Sequence, residues 1–358
     1  MRLLVVTNDY PPKPGGIQQY LHNLLRVLPD EIRVLGPADN AADDEHRVTR
    51  SGRAFMWPTP ANKRWILDEA RAFQPDLILF GAPHPLASLG PGLRTELGVP
   101  YVVLCHGAEV TIPAAFPVTR QLLARPLKSA DALFAVSRFT QQRLQRLTDR
   151  SVTYVGGGVD PDRFAFVERP IPSGPITIGC VSRFVPRKGQ LRLIKAAEEL
   201  HAGGVAVELL IVGRGRQEDA IRRAGARSPI RVRIEVDVPW EQLPGLYTEM
   251  DVFCMPCKSR WGGLEIEGLG LVFLEAAATG LAVLAGDSGG AAETVRQGRT
   301  GYVVADTQDI VDAVRRLDAD RSSLVAMGVA GRAMVKEEFT WAATAARMRK
   351  DFDRLTAR

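Results

Sequence analysis

The sequence predicts an α/β fold in which two doubly wound, Rossmann-like domains follow one another along the chain. The first observation is a repeated alternation of short apolar runs, typical of buried strands, with segments whose apolar residues recur at helical spacing. The second is an interruption, because residues 161–175 hold four prolines and no periodic pattern, and the alternation restarts after them. The third is size, since 358 residues are long for one hydrophobic core and suit two domains.

The first half opens with an apolar strand at Leu3–Thr7, which is followed by Gly15 and Gly16 and then by a helix with leucines at helical spacing. Strand, glycine loop and helix in this order begin a doubly wound domain. The alternation favours a largely parallel sheet with helices on both faces. The other predicted strands are 32–35, 77–80, 101–105, 132–136 and 152–155, with helices at 64–73 and 140–147.

The second half repeats the pattern, and its predicted strands are 176–182, 207–212, 232–236, 252–255, 282–285 and 302–304. Helices are predicted near 190–201, 216–224, 240–249, 271–279 and 309–317, and residues 322–356 have room for two or three more. We expect domains at 1–165 and 166–339, with a last helix, 340–358, that packs back on the first domain. Because open α/β sheets bind ligands at the carboxyl ends of their strands, we expect the ligand in a cleft between the domains.

The composition excludes disordered and fibrous proteins. The apolar fraction of 46% and charged fraction of 24% are those of an ordinary globular protein, and the net charge of +5 suits an anionic substrate or membrane surface without requiring either. Neither an apolar run of membrane-spanning length nor a leader peptide is recognisable, so we expect a cytoplasmic protein. The four cysteines lie in or beside apolar runs, which favours reduced, buried thiols; Cys254 and Cys257 have zinc-knuckle spacing but lack a second pair.

A glycine-rich turn that leads into an apolar helix carries two carboxylates, Glu267 and Glu275. Gly268 and Gly270 let backbone N–H groups at the helix start approach a phosphate or a sugar, where the helix dipole favours an anion. We expect Glu275 in the first helical turn and both carboxylates in one crevice, where they accept hydroxyl hydrogen bonds. For either acid alone, a solvated or dipole-complementing role is favoured. The apolar neighbours of Glu275 weaken that alternative, because an unpaired carboxylate among them is costly.

Three cations, Arg183, Arg187 and Lys188, follow the first strand of the second half. Arginine can fork across two phosphate oxygens and lysine acts as a point charge, so this segment favours a diphosphate site over a solvated basic loop. His106 directly follows a strand, and its position leaves a site role and a structural role equally open. The sequence has no Walker lysine motif, no Gly-x-Ser-x-Gly elbow and no His-Glu-x-x-His helix.

Taken together, these motifs resemble retaining glycosyltransferases of the GT-B fold, family four, whose E-x7-E motif is matched by the two glutamates. The resemblance covers nearly the whole chain and is strongest to actinobacterial phosphatidylinositol mannoside mannosyltransferases, which use GDP-mannose. The segments that carry it are Thr7-Asn-Asp-Tyr-Pro-Pro, Gly15-Gly-Ile-Gln, Ser182-Arg-Phe-Val-Pro-Arg-Lys-Gly-Gln, Glu267-Gly-Leu-Gly-Leu-Val-Phe-Leu-Glu and Gly286-Asp-Ser-Gly-Gly-Ala-Ala-Glu-Thr-Val.

The resemblance implies an acceptor-binding first domain, a donor-binding second domain and a role for each site residue. Arg183 and Lys188 neutralise the leaving diphosphate, Glu275 holds the ribose diol, Glu267 contacts sugar hydroxyls and His106 sits by the transferred sugar. The implied catalytic set is therefore His106, Arg183, Lys188 and Glu267. The implied donor-binding set is Gly16, Arg183, Lys188, Val236, Pro256, Lys258, Glu267, Gly268, Leu269, Gly270, Leu271 and Glu275.

The implied reaction is front-face substitution with retention, assisted by fixed positive charge and not by a metal, so we expect no cofactor. Implied partners are a nucleotide-sugar donor and a lipid acceptor at the cytoplasmic face of the plasma membrane, with no nucleic acid. Two segments, 50–65 and 116–128, mix basic and aromatic residues. Either they rest on an anionic membrane surface, or their apolar residues belong to the core and their charges are solvated. The alternatives are a soluble acceptor, a UDP-sugar donor, or a nucleotide-sugar-binding protein without catalysis.

Overall fold

The computed structural model describes residues 1–13, 15–39 and 47–357. These divide into two compact units, the first formed by Met1–Gly158 together with the chain from Trp341 onward, and the second formed by Val159–Thr340. The structure therefore divides the chain after Gly158, whereas the boundary predicted from the sequence follows residue 165. Each unit has its own sheet.

The first unit is a seven-stranded, all-parallel sheet in the order β3-β2-β1-β4-β5-β6-β7. Its central strands are apolar on both faces because helices cover the sheet on both sides, as a parallel sheet requires. The strands are β1 Arg2–Val6, β2 Glu31–Gly36, β3 Arg47–Arg50, β4 Leu77–Phe80, β5 Tyr101–Cys105, β6 Ala132–Ala135 and β7 Val152–Tyr154. The helices are α1 Gly16–Val27, α2 Pro60–Phe73, α3 Gly90–Leu97, α4 Ala108–Ala114, α5 Pro117–Ser129 and α6 Arg138–Gln145.

The second unit is a six-stranded parallel sheet in the order β10-β9-β8-β11-β12-β13. Its strands are β8 Ile176–Val181, β9 Val207–Val212, β10 Val232–Glu235, β11 Val252–Met255, β12 Ala282–Gly286 and β13 Gly301–Val304. Its helices are α7 Gln190–Ala202, α8 Glu218–Arg227, α9 Leu243–Thr248, α10 Leu271–Ala278, α11 Thr307–Ala319 and α12 Ser322–Glu338. The carboxyl ends of β8, β11 and β12 therefore lie side by side, and the loops that follow them carry most of the expected site residues.

The last helix, α13 (Trp341–Thr356), belongs to the first unit. Phe352 meets Phe134 of β6 edge to face with ring centroids 5.7 Å apart, and Asp351 accepts a hydrogen bond of 2.8 Å from Thr153. Arg349 pairs with the buried carboxylate of Asp30. The first unit is thus built from two separate stretches of the chain.

The predicted fold class, two doubly wound α/β domains, is confirmed. The predicted bounds of β4, β5, β9 and β11 match the structure, because β4, β5 and β11 are continuous apolar runs and β9 is apolar apart from Glu208. Strand β3 and helices α3, α4 and α5 were not predicted. Strand β3 reads Arg-Val-Thr-Arg, and Pro113 and Pro126 lie inside α4 and α5 and obscure their helical character.

Candidate active site

The backbone of Glu267 is fixed by the turn that follows β12. The Glu267 N–H donates to Ser288 Oγ at 3.1 Å, and the Glu267 carbonyl accepts from the Gly290 N–H at 3.0 Å. Gly289 between them has φ +56°, and a Cβ there would lie 2.1 Å from the Glu267 carbonyl oxygen. Only glycine fits this approach, so Ser288, Gly289 and Gly290 form a support for the acid.

The Glu267 carboxylate lies between two cations of the loop after β8. Its Oε2 accepts from Lys188 Nζ at 2.6 Å and from the Arg187 guanidinium, and all three groups are largely shielded from solvent. Burial by itself raises the pKa of Glu267, but the attraction of Lys188 and then of Arg187 outweighs it and lowers the pKa to about 2. The acid is therefore ionised and held in place at neutral pH.

A short 3-10 turn, Pro186–Lys188, brings both cations to this position, and Gly189 ends it with φ +82°. A Cβ at Gly189 would lie 2.4 Å from the carbonyl oxygen of Pro256, so the two loops pack backbone to backbone. Lys258 is joined to the same turn, because its N–H donates to the Arg187 carbonyl at 2.9 Å. The loops after β8 and β11 are thus joined through their backbones.

Arg183 has a different environment from its two neighbours. Its backbone carbonyl accepts from Gln190 Nε2 at 3.0 Å, whereas its side chain is exposed and has no partner within the part of the chain that the structure describes. It is thus a free cation beside a paired one. The arginine that binds Glu267 is Arg187. It is one of the three cations expected at the diphosphate but is not in the expected catalytic set. Its position next to Lys188 was the available signal.

Glu275 is the fifth residue of α10, so the expectation that it lies in the first helical turn is wrong. Its Oε2 accepts from the hydroxyl of Tyr247 at 2.7 Å. Burial raises the pKa of Glu275 to about 7, against the opposing effects of the Tyr247 hydrogen bond and of Arg163. The pKa values of the two acids of the motif are therefore shifted in opposite directions, downward for Glu267 by its cations and upward for Glu275 by burial.

The turn between the two acids leads into the start of α10. Gly270 is the N-cap residue, and among the described residues the first turn has neither a side-chain cap nor an acid. Its N–H groups and the helix dipole together can hold an anion. Gly268 and Leu271 are half-buried and Leu269 is buried. Val236 follows β10, an edge strand of the second unit's sheet, which β9 and β8 separate from β11.

In the first unit, His106 follows β5 and is buried. Its Nε2 lies 3.0 Å from the carbonyl oxygen of Gly81, and because a carbonyl only accepts, Nε2 carries the hydrogen and Nδ1 is left as an acceptor. Burial lowers the pKa of His106 despite the opposing charge of Glu109, so the ring is neutral. Gly16 is at the exposed start of α1, and Tyr20 of the same helix meets the His106 ring edge to face with centroids 5.1 Å apart.

The four cysteines are free and buried, as predicted. Burial raises the pKa of Cys180 and of Cys257 to about 12, so both thiols are protonated at neutral pH. Within residues 1–13, 15–39 and 47–357, no group of three or more His, Cys, Asp or Glu side chains is arranged to hold a metal ion.

The chain matches the family profile described as "Glycosyl transferases group 1" over residues 162–334 and that described as "Glycosyltransferase Family 4" over residues 14–163. It is 37% identical over 375 residues to the GDP-mannose-dependent alpha-(1-6)-phosphatidylinositol monomannoside mannosyltransferase of Mycolicibacterium smegmatis, with 97% of each chain covered. It is 35% identical over 364 residues to the GDP-mannose-dependent monoacylated alpha-(1-6)-phosphatidylinositol monomannoside mannosyltransferase of Corynebacterium glutamicum, with 95% of this chain and 94% of the relative covered.

Two solved structures show the same fold at low identity. Anabaena HepE in complex with UDP-glucose has a TM-score of 0.80 at 19% identity, covering 99% of this chain and 100% of that chain. The sucrose-phosphate synthase of Thermosynechococcus elongatus has a TM-score of 0.82 at 20% identity, covering 100% of both chains. The GT-B class expected from the sequence is therefore confirmed. The chain belongs to the GT-B glycosyltransferase family that includes the phosphatidylinositol monomannoside mannosyltransferases.

Proposed function

We propose that this protein is a retaining mannosyltransferase that moves a mannosyl residue from GDP-mannose to a hydroxyl of a phosphatidylinositol mannoside. The observation that carries the proposal is the buried Glu267, held by Lys188 and Arg187 beside the uncapped start of α10. The identity of 37% to a GDP-mannose-dependent relative supports the choice of donor and acceptor.

The donor diphosphate meets positive charge from Arg183, from Lys188 and from the N–H groups of Gly268–Leu271. Arg183 is exposed and pairs with no acid among the described residues, whereas Lys188 is fixed by its 2.6 Å contact with Glu267. Glycosyl transfer breaks the bond between the sugar and the diphosphate, so negative charge grows on the leaving group. Cations that are already in place stabilise this charge without reorganising at the moment of reaction.

The remaining residues act on the sugar, the ribose and the base. The carboxylate oxygen of Glu267 that does not contact its two cations accepts a hydrogen bond from a mannose hydroxyl. Glu275 accepts hydrogen bonds from the ribose diol. His106 presents an unprotonated Nδ1, which can accept a hydrogen bond from a hydroxyl of the transferred sugar. Val236, Pro256 and Lys258 lie in the loops that we assign to the base, and Gly16 offers backbone N–H groups at the start of α1.

The acceptor hydroxyl attacks from the face that the diphosphate leaves and gives its proton to the departing diphosphate oxygen on that face, so the configuration of the sugar is retained. We propose that fixed cations, with no divalent ion, stabilise the departing diphosphate. Turnover unchanged by EDTA, and not raised by added Mg²⁺ or Mn²⁺, is the expected result. Turnover abolished by EDTA and restored by one of these ions would contradict the role given to the cations.

We further propose that the protein works at the cytoplasmic face of the plasma membrane and contacts it through the α4–α5 face, defined here as residues 110–130. Phe116, Val118 and Leu122 are 58%, 71% and 61% exposed, while Leu123 and Leu127 point into the core. The face contains no Asp or Glu, and Arg120, Arg125 and Lys128 are exposed on it. Exposed apolar groups among unopposed cations suit an anionic bilayer.

A pocket of about 420 Å³ adjoins this face, and the cations that line it are Arg120, Lys128 and Arg146. The other segment named from the sequence is mixed in character, because Met56 is fully buried while Trp57 is largely exposed. No helix among the described residues has the length and apolar character that a membrane span needs.

The decisive experiment incubates the purified protein with GDP-mannose, GDP-glucose, UDP-glucose or UDP-galactose, each with phosphatidylinositol monomannoside vesicles or with a soluble mannoside. Mass spectrometry of the lipid and aqueous extracts identifies the product. We expect one added hexose in the lipid extract with GDP-mannose. Turnover only with a UDP-sugar, or only on the soluble mannoside, refutes the proposal.

Vesicle co-sedimentation tests the α4–α5 face separately. Phe116→Ser and Leu122→Ser should weaken binding to vesicles that contain phosphatidylinositol, and neutral phosphatidylcholine vesicles should bind poorly. Val329→Ser is the matched control, because Val329 is an exposed apolar residue of α12 in the second unit. Equal loss of binding in all three variants would overturn the assignment of this face.

A further inference from the structure

Tyr247 is a buried, polar side chain to which the proposed reaction gives no part. It is fully buried in α9, and its ring packs edge to face on Phe164 at a centroid distance of 5.7 Å and beside Phe253 at 5.8 Å. These contacts and the full burial restrict how the ring can be placed. Its hydroxyl then reaches across to α10 and donates to Glu275 Oε2 at 2.7 Å.

Two arginines from the start of the second unit hold α9 and the turn before it. Arg169 donates to the carbonyls of Tyr247, Thr248 and Met250 at 2.9, 3.0 and 2.6 Å, which satisfies the backbone acceptors left open where α9 ends. Arg163 donates to the Trp240 carbonyl at 2.8 Å and lies over its ring at 4.5 Å. The hydroxyl of Tyr247 is therefore presented from a backbone that is fixed at several points.

We propose that Tyr247 is a positioning residue for Glu275: it fixes one carboxylate oxygen so that the other is aimed at the ribose diol of the donor. This inference rests on the proposed role of Glu275. A carboxylate on a helix can rotate about its side-chain bonds, and a single strong hydrogen bond from an immobile donor selects one rotamer. Donor binding then does not have to order the acid.

The hydroxyl has a second consequence, because it donates to the ionised form of Glu275 more strongly than to the protonated form. The pKa of Glu275, raised by burial to about 7, is held down by this bond and by Arg163. Among the described residues, the Cys180 thiol of β8 also acts on the Tyr247 hydroxyl, and Arg332 of α12 lies at the far end of α10, where it donates to the Ala278 carbonyl. Removing the hydroxyl therefore raises the pKa of Glu275 further.

The test compares Tyr247→Phe with Glu275→Gln and with Tyr302→Phe, a matched control on the half-buried Tyr302 of β13. Initial rates are measured from pH 5.5 to 8.5 with varied GDP-mannose and saturating lipid acceptor. At pH 7 we expect Tyr247→Phe to raise the donor KM about tenfold, the order of one hydrogen bond to a charged group, with kcat within about twofold of native. The acidic limb of kcat/KM should move to higher pH, and the defect should shrink at pH 8.5.

The outcomes separate this inference from the proposed function. If Glu275→Gln leaves the donor KM unchanged at every pH, the assigned role of Glu275 fails. If Glu275→Gln raises KM while Tyr247→Phe matches Tyr302→Phe, the positioning role of Tyr247 is overturned. A Tyr247→Phe defect that is the same at every pH also overturns it, because that indicates a merely structural role.

Arg169→Gln is a second variant that leaves the Tyr247 side chain intact and loosens α9. We expect a donor KM raised about threefold at an unchanged kcat, a smaller shift in the same direction. If Tyr247→Phe does not fold, this variant decides, and an unaltered donor KM overturns the inference.

Discussion

Replacement of Lys188 by alanine is the perturbation that most directly probes the proposed chemistry. Lys188 is 7% exposed, so its charge acts in a medium with an effective dielectric constant nearer ~20 than ~80. At a separation of about 4 Å, a unit charge then contributes about 4 kcal/mol, compared with about 1 kcal/mol in water. Part of this is offset by Glu267, which pairs with Lys188 at 2.6 Å. We expect kcat/KM to fall about 10²- to 10³-fold, the range found for the loss of one preorganised donor.

The same substitution should cost stability only moderately. Glu267 keeps the Arg187 guanidinium, so it is not left as an isolated buried charge. We expect a loss of about 1–3 kcal/mol, below the ~3–5 kcal/mol of a buried pair that loses its only partner. Urea unfolding at pH 7 measures this loss, and mannosyl transfer to lipid vesicles measures kcat/KM on the folded fraction.

Lys195→Ala is the matched control. Lys195 lies on α7 in the same unit, its side chain is 68% exposed, and its pair with Glu199 is an ordinary surface contact. It should change neither kcat/KM nor stability measurably. A folded Lys188→Ala protein with kcat/KM within threefold of the Lys195→Ala value would refute the role of Lys188 on the diphosphate.

Three further outcomes follow from the geometry. Glu267→Ala leaves the shielded Lys188 without its partner and leaves Arg187 with a 3.8 Å contact to Glu265, so urea unfolding should show a loss of about 3–5 kcal/mol, and a loss below ~1 kcal/mol would contradict the burial argument. Gly289→Ala places a Cβ 2.1 Å from the Glu267 carbonyl oxygen at φ +56° and should lower the free energy of unfolding by about 2–4 kcal/mol. Gly298→Ala, at φ +70° with open space around it, should lower it by about 1 kcal/mol. Equal losses in the two variants would show that the close contact is unimportant. Burial raises the pKa of Glu275 from 4.5 to about 7, so the folded protein keeps this proton at pH values where the unfolded chain has lost it. The resulting contribution to the free energy of unfolding is fully present below pH 4.5 and is lost as the pH rises through 7, a decrease of up to about 3 kcal/mol. Glu275→Gln should abolish that fall in urea titrations at pH 4.5 and 7.5, and an unchanged pH dependence would show that another group causes it.

Continuous apolar runs explain which parts of the fold were predictable. Strands buried on both faces, such as β5 and β11, are apolar throughout, so composition alone marks their ends. Strand β3 is at the edge of its sheet, where polar residues are tolerated, and it has no such mark. Helices α4 and α5 contain internal prolines, which local rules read as breaks, although tertiary packing holds the helices together.

The site divides along a similar line. Both acids and the basic loop were recognisable because each lies in a short motif of the chain. Which arginine pairs with Glu267 was not recognisable, since Arg187 and Arg183 both follow β8 and only the 3-10 turn at Pro186–Lys188 directs one of them toward the acid. Tyr247 was missed for the same reason, because it meets Glu275 across 28 residues of sequence. Long-range partners depend on how loops pack, and local pattern does not encode this.

Helix α13 sets the order in which the two units can be completed during synthesis. Residues 159–340 are contiguous, so the second unit can close as soon as they have left the ribosome. The first unit cannot, although its sheet strands are translated earlier, because Phe352 and Met348 fill its core from the far end of the chain. Until then the surface of β6 that receives Phe352 is open to water and to chaperones. The half of the protein that is made first is therefore the half that matures last.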